Sequence, residues 1–276
     1  MKHLIQYRLF ESNKDIESTC SEYSIQNFTI NSDGSIDVDG DVDLSYKELD
    51  KIPIKFRNVT GNFYCPFNNL TSLEGGPKSV GGDFDCSFNN LTSLEDAPEW
   101  VGDDFYCRNN NLSSLEGSPE SISGGFYCSY NNLTSLKGSP KSVGRDFWCS
   151  NNNLTSLEGS PKSVGSDFYC DNNKLISLEG SPKSVGGNFY CDNNKLISLE
   201  GSPEWIGGDF YCQFNPVFQI WNLFKDKDKI ELFNDMDIIQ GDSIFLDRLI
   251  DFLDQIRKPK TESELIKLIK KYSFIN

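Results

Sequence analysis

Histidine is nearly missing from this chain: of 276 residues, only His3 is one. A metal centre or a nucleophile–base pair built on imidazoles therefore has no second ring to use. Cys-x-x-Cys spacings are absent too, so a thiolate cage for zinc is not expected. Basic charge is in deficit, with 26 Lys and Arg against 41 Asp and Glu and a formal net charge of −15. Nucleic-acid phosphates and anionic lipids repel such a chain. A protein with a basic or mixed surface is the expected partner; nucleic acid and membrane are not. No segment approaches the ~18 consecutive apolar residues of a membrane helix. The start, MKHLIQYRLFESNKD, has neither the apolar core nor the small-residue cleavage site of a signal peptide, so a cytoplasmic protein is expected. With no phosphate loop or catalytic constellation visible, neither enzymatic activity nor a cofactor is expected.

What the chain has instead is repetition. Cys65, Cys86, Cys107, Cys128, Cys149, Cys170, Cys191 and Cys212 lie 21 residues apart, and only Cys20 falls off the series. Such a fixed period signals a solenoid. Each unit approximates VGGDFYCSNNNLTSLEGSPKS. Its apolar positions in one unit are Val143, Phe147, Cys149, Leu154 and Leu157. In Asp-Phe-Tyr-Cys-Ser, the Phe and Cys point one way and the Asp, Tyr and Ser the other, which predicts a strand with one buried face. Asn-Asn and Gly-Ser-Pro supply bends. One coil cannot bury its own apolar edge, but stacked coils bury each other, with the strands in a parallel sheet. The series extends back to a degenerate coil containing Val38, Val42, Leu44, Leu49 and Ile52. About nine coils are expected over residues 38–220, which at ~4.8 Å per strand make a ladder on the order of 40 Å long.

The motif Phe-x-Cys-x-x-Asn-x-Leu, with a further Leu-x-x-Leu and Pro, resembles the leucine-rich repeat, in the short form of bacterial effector proteins and similar phage-encoded proteins. The resemblance covers about two thirds of the chain. It implies an α/β-type solenoid whose parallel sheet is concave and whose coils are otherwise irregular. It also implies that partners bind on the concave face, and that the Asn bonds the adjacent turn. One departure is that three residues, not two, separate Val from Phe. Some bacterial members carry a catalytic cysteine after the repeats; no cysteine follows Cys212 here, which argues against that role.

Open solenoid ends need caps. Residues 1–37 are expected to form one, with a short helix in NKDIESTCSEYSI and a hairpin around Asn31-Ser32-Asp33-Gly34. Residues 221–276 read as a helical cap or module. Ile244, Leu246, Leu249, Ile250 and Leu253 share one helical face, and Thr261 and Glu264 have the spacing of a capping box.

The cysteines, each beside a buried Phe, are expected to be reduced and to act as small apolar residues. The candidate binding residues are the outward ones. Tyr64, Asp85, Tyr106, Tyr127, Trp148, Tyr169, Tyr190 and Tyr211 form one row. Asp146 and Asp167 belong to the acidic row before it, and Arg108 to the row after it. Tyr and Trp are favoured interface anchors, and carboxylates beside them suit Arg and Lys. Stacked tyrosines also stabilise adjacent strands, so a purely structural role stands beside the binding one. Protein binding is the first functional expectation, as a phage- or bacterium-encoded modulator of a host protein. A glycan or small-molecule binder using the aromatic ladder, and an assembly spacer, are the alternatives.

Overall fold

The computed structural model describes residues 13–241, 243–269 and 272–275; His3 and the rest of residues 1–12 lie outside them. Two-residue strands from Val42–Asp43 through Phe63–Tyr64, Phe84–Asp85 and onward to Phe210–Tyr211 pair in parallel, each with the next coil, into a nine-stranded sheet. The register places identical positions side by side, so Phe147 lies between Phe126 and Phe168. The inward rings stack along the solenoid with centroids 5.1–5.8 Å apart from Phe63 to Phe210. The cysteines beside them and the two leucines of each regular unit are fully buried. This is the parallel-strand solenoid that the period predicts.

All nine thiols are unpaired and buried. Several donate to a main-chain carbonyl of the following coil, as Cys149 Sγ does to Tyr169 O at 3.2 Å and Cys128 Sγ to Trp148 O at 3.3 Å. Burial pushes each ladder thiol far above its ordinary value, so the reactive thiolate is suppressed. In the folded protein, Ellman's reagent is therefore expected to label the eight ladder cysteines at least a hundredfold more slowly than in 6 M guanidinium. Rapid native labelling of several of them would show that the coils open.

A buried asparagine joins each pair of coils. Asn152 Nδ2 donates to Cys149 O in its own coil and to Cys128 O in the preceding one, both at 3.1 Å. Its Oδ1 accepts from Leu133 N at 3.1 Å. The same bridge recurs from Asn68 to Asn215.

Each coil also contributes a second strand, such as Ser163–Val164, which the sequence reading left out. The three residues between Val and Phe allow both flanks to be extended around a tight bend. At the bend, backbones approach so closely that a Cβ on Gly165 would lie 1.9 Å from Gly144 O. The second ladder runs as two five-stranded sheets, broken between Trp100–Val101 and Ser121–Ile122. The break falls where Ser123 replaces the glycine of this close approach.

At the N-terminal end, helix α1 (residues 13–22) precedes a hairpin of Phe28–Ile30 and Ile36–Val38. Ile36–Val38 then pairs in parallel with Phe56–Val59, so the hairpin forms the end of the second ladder. At the other end lie α2 (Phe218–Phe224), α3 (Ile230–Asp235), α4 (Leu246–Gln255) and α5 (Glu262–Leu268). Thr261 and Glu264 form the expected capping box. A three-stranded sheet of Ile239–Gln240, Ser243–Phe245 and Ser273–Ile275 accompanies the helices. Ile244 is thus in a strand instead of the anticipated helix, because a short apolar run satisfies either period.

This C-terminal module closes the last coil group by group. Val217 N donates to Leu196 O, Tyr272 Oη to Ile197 O and Asn234 Nδ2 to Leu199 O, at 2.9, 2.9 and 3.0 Å. Lys227 Nζ donates to Ile206 O at 2.6 Å and also to Gly208 O, on the edge of the second ladder. Trp221 packs on Phe210 with centroids 5.0 Å apart. No helix among the described residues is long and apolar enough to cross a membrane.

Candidate binding site

The strand alternation that buries Phe and Cys turns Tyr64, Asp85, Tyr106, Tyr127, Trp148, Tyr169, Tyr190 and Tyr211 outward, in register across the nine-stranded sheet. All are half-buried, and from Tyr106 to Tyr211 the rings lie against one another. Tyr106 stacks on Tyr127 at 4.5 Å, Tyr169 on Tyr190 at 4.4 Å and Tyr190 on Tyr211 at 4.7 Å. Trp148 meets Tyr127 edge-on at 5.6 Å and is tilted against Tyr169 at 4.6 Å. Its indole Nε1 is buried with no hydrogen-bond partner among the described residues.

The acidic row has a structural task. Asp146 Oδ1 accepts from Asp167 N at 3.0 Å, and Asp167 Oδ1 from Asn188 N at 2.6 Å. The same bond recurs from Asp83 to Asp104 N and from Asp104 to Gly125 N. Each side chain thus ties the main chain of the next coil. The remaining oxygens hold tyrosines: Tyr106 Oη donates to Asp104 Oδ2 at 2.8 Å and Tyr169 Oη to Asp167 Oδ2 at 3.0 Å. Burial, reinforced by the bonded carboxylate, raises both phenols. Gly125 removes the carboxylate beside Tyr127, whose phenol is nonetheless pushed up to about 12, chiefly by burial.

Arg108 is placed differently from the aromatic row. Its guanidinium carbon lies 5.7 Å from the ring centre of Phe88. The neighbouring cation that does pair with the acidic row is Arg145, with Nη1 2.8 Å from Asp103 and 3.7 Å from Asp104. Asp83, Asp103 and Asp104 bring carboxylate oxygens within 4.8 Å of one another. Sequence reasoning missed Arg145 and Asp103 because both occupy variable turn positions.

A second aromatic row was also missed. Three residues past the end of the strand, Tyr46, Phe67, Phe88, Tyr130 and Phe214 have φ of 54–60°, where Asn109, Asn151, Asn172 and Asn193 stand in other coils. Asparagine tolerates this left-handed conformation, but an aromatic residue there costs about 1–2 kcal/mol. Tyr46, Phe67, Tyr130 and Phe214 are nevertheless exposed, and Tyr46–Phe67–Phe88 form a stack with spacings of 4.5 and 4.2 Å. The readable signal was aromatic substitution at an asparagine position.

A 21-residue coil of parallel strands, with an asparagine bridge and two buried leucines, defines a solenoid of the leucine-rich-repeat type. The structure is similar to that of YopM from Yersinia enterocolitica WA-314, with 23% sequence identity and a TM-score of 0.43; the match covers 63% of this chain and 42% of that one. This chain therefore matches less than half the length of that protein. No family model and no curated protein matches the sequence.

Proposed function

We propose that the chain is a non-catalytic protein-binding module whose partner lies across the outward face of the nine-stranded sheet. The observation that carries this reading is the exposed aromatic row Tyr46, Phe67, Tyr130 and Phe214, held in a strained backbone conformation beside the ladder of tyrosines. Aromatic surface maintained at a conformational cost is what an interface needs and what a solvated edge does not. The surplus of acidic groups suits a partner with a basic or mixed surface. Action in the cytoplasm on a host protein, by a phage- or bacterium-encoded modulator, fits the repeat wording. Sugar binding is disfavoured, because rings stacked on rings offer edges where a sugar would need faces.

The test is affinity capture from host lysate with wild type and with Tyr127→Ala/Trp148→Ala/Tyr169→Ala. Loss of these anchors is expected to weaken a captured protein at least thirtyfold, while circular dichroism stays unchanged. Equal retention by a folded triple variant would move the site off this face.

A further inference from the structure

The outward ring ladder is interrupted once between Tyr64 and Tyr211, at Asp85. Elsewhere each ring lies on the next, with centroids 4.4–5.6 Å apart. Asp85 pairs in register with Tyr64 on one side and Tyr106 on the other, so the main chains of these two tyrosines stand two strand spacings apart, ~9.6 Å. One face of Tyr106 is covered by Tyr127, leaving the opposite face toward Asp85. Tyr64 leans the same way from the other side, its hydroxyl 3.4 Å from Asp83 Oδ2 in the coil of Asp85. The missing ring therefore leaves a slot with two aromatic walls and a carboxylate at its base.

The base is short of counter-charge. Asp85 Oδ1 accepts from Ser87 N at 2.8 Å. Burial raises the carboxyl above its usual range, against the opposing pull of its Ser87 hydrogen bonds. Arg108, whose charge offsets part of that rise, rests over Phe88 and forms no ion pair with Asp85. A guanidinium paired with a carboxylate makes a flat unit that stacks on aromatic faces. Such a unit completes the stack as a ring does, whereas a lysine ammonium has no plane to insert.

We propose that the slot formed by Tyr64, Asp85 and Tyr106 receives the guanidinium of an arginine side chain of a protein partner. The exposed Phe67 and the neighbouring Phe88 place apolar surface next to it, so the arginine is flanked by apolar residues in that partner. The inference rests on the protein-binding reading above and locates its specificity in one rung.

The test uses the full chain with isotope-labelled tyrosine, titrated with acetyl-Gly-Arg-Gly-amide and its citrulline and lysine counterparts. Ring signals of Tyr64 and Tyr106 are followed by nuclear magnetic resonance. Saturable shifts are expected with the arginine peptide, with a dissociation constant on the order of millimolar. Binding of the citrulline and lysine peptides is expected to be at least tenfold weaker. Asp85→Tyr restores the residue of the other coils, so it folds, and it is expected to abolish the shifts; Asp85→Asn is expected to weaken binding at least tenfold. Equal binding of arginine and citrulline, or undiminished binding by Asp85→Tyr, would overturn the proposal. So would an absence of shifts in wild type, or binding only in Arg108→Ala, which would make the slot a resting place for Arg108. Because the probe is a defined peptide, these failures leave the lysate capture to stand or fall separately.

Discussion

Replacing Asn152 with alanine is expected to lower stability by about 4 kcal/mol, although it removes almost no apolar contact. The amide serves four main-chain groups: Cys128 O, Cys149 O, Ser150 O and Leu133 N. All lie in the interior, where no water replaces the lost partner, and each orphaned group costs about 1–3 kcal/mol. The bridge also crosses from one coil to the preceding one, and stability in a solenoid resides in such nearest-neighbour interfaces. Urea unfolding followed by tryptophan fluorescence measures the change. A loss below about 1 kcal/mol would mean that the coils are held by apolar stacking alone. Asn153→Ala is the control: this residue adjoins the bridge, takes no part in it and lacks the left-handed backbone of Asn151.

Phe147→Ala is expected to cost about 3–5 kcal/mol, the range for removing a buried aromatic ring. Phe147 is fully buried between Phe126 at 5.6 Å and Phe168 at 5.4 Å, and neither neighbour can move into the space without leaving its own coil. Phe147→Leu keeps most of the volume and is expected to cost less than half as much. Equal losses for the two variants would locate the effect in ring stacking instead of cavity formation. Differential scanning calorimetry of both variants makes the comparison.

The period, the inward Phe, Cys and Leu and the asparagine bridge were legible because each recurs at a fixed position and admits one chemistry. The hairpin was legible from Asn31 to Gly34 because turn residues sit between two alternating segments. The second ladder was not: Ser163–Val164 is too short to show alternation. The acidic row has a task that was hidden for a different reason. Besides lining the candidate face, Asp146 and Asp167 each have an oxygen on the amide of the next coil, a bond visible only once the register is known. The contact of Arg108 was not legible either, because it rests on Phe88, an aromatic whose backbone conformation no periodicity reveals.

The hydrogen bonds described between the C-terminal module and the solenoid end on Leu196, Ile197, Leu199, Ile206 and Gly208, within the span of a single unit. The junction thus reads only the final turn and is indifferent to how many turns precede it. Because several units are nearly identical, a recombination slip between two of them adds or deletes one whole turn while the closing surface still fits. Reach becomes a heritable variable separate from foldability. A lineage can lengthen or shorten the molecule in whole steps, shifting where the odd rung at Asp85 stands relative to the far end without redesigning either terminus.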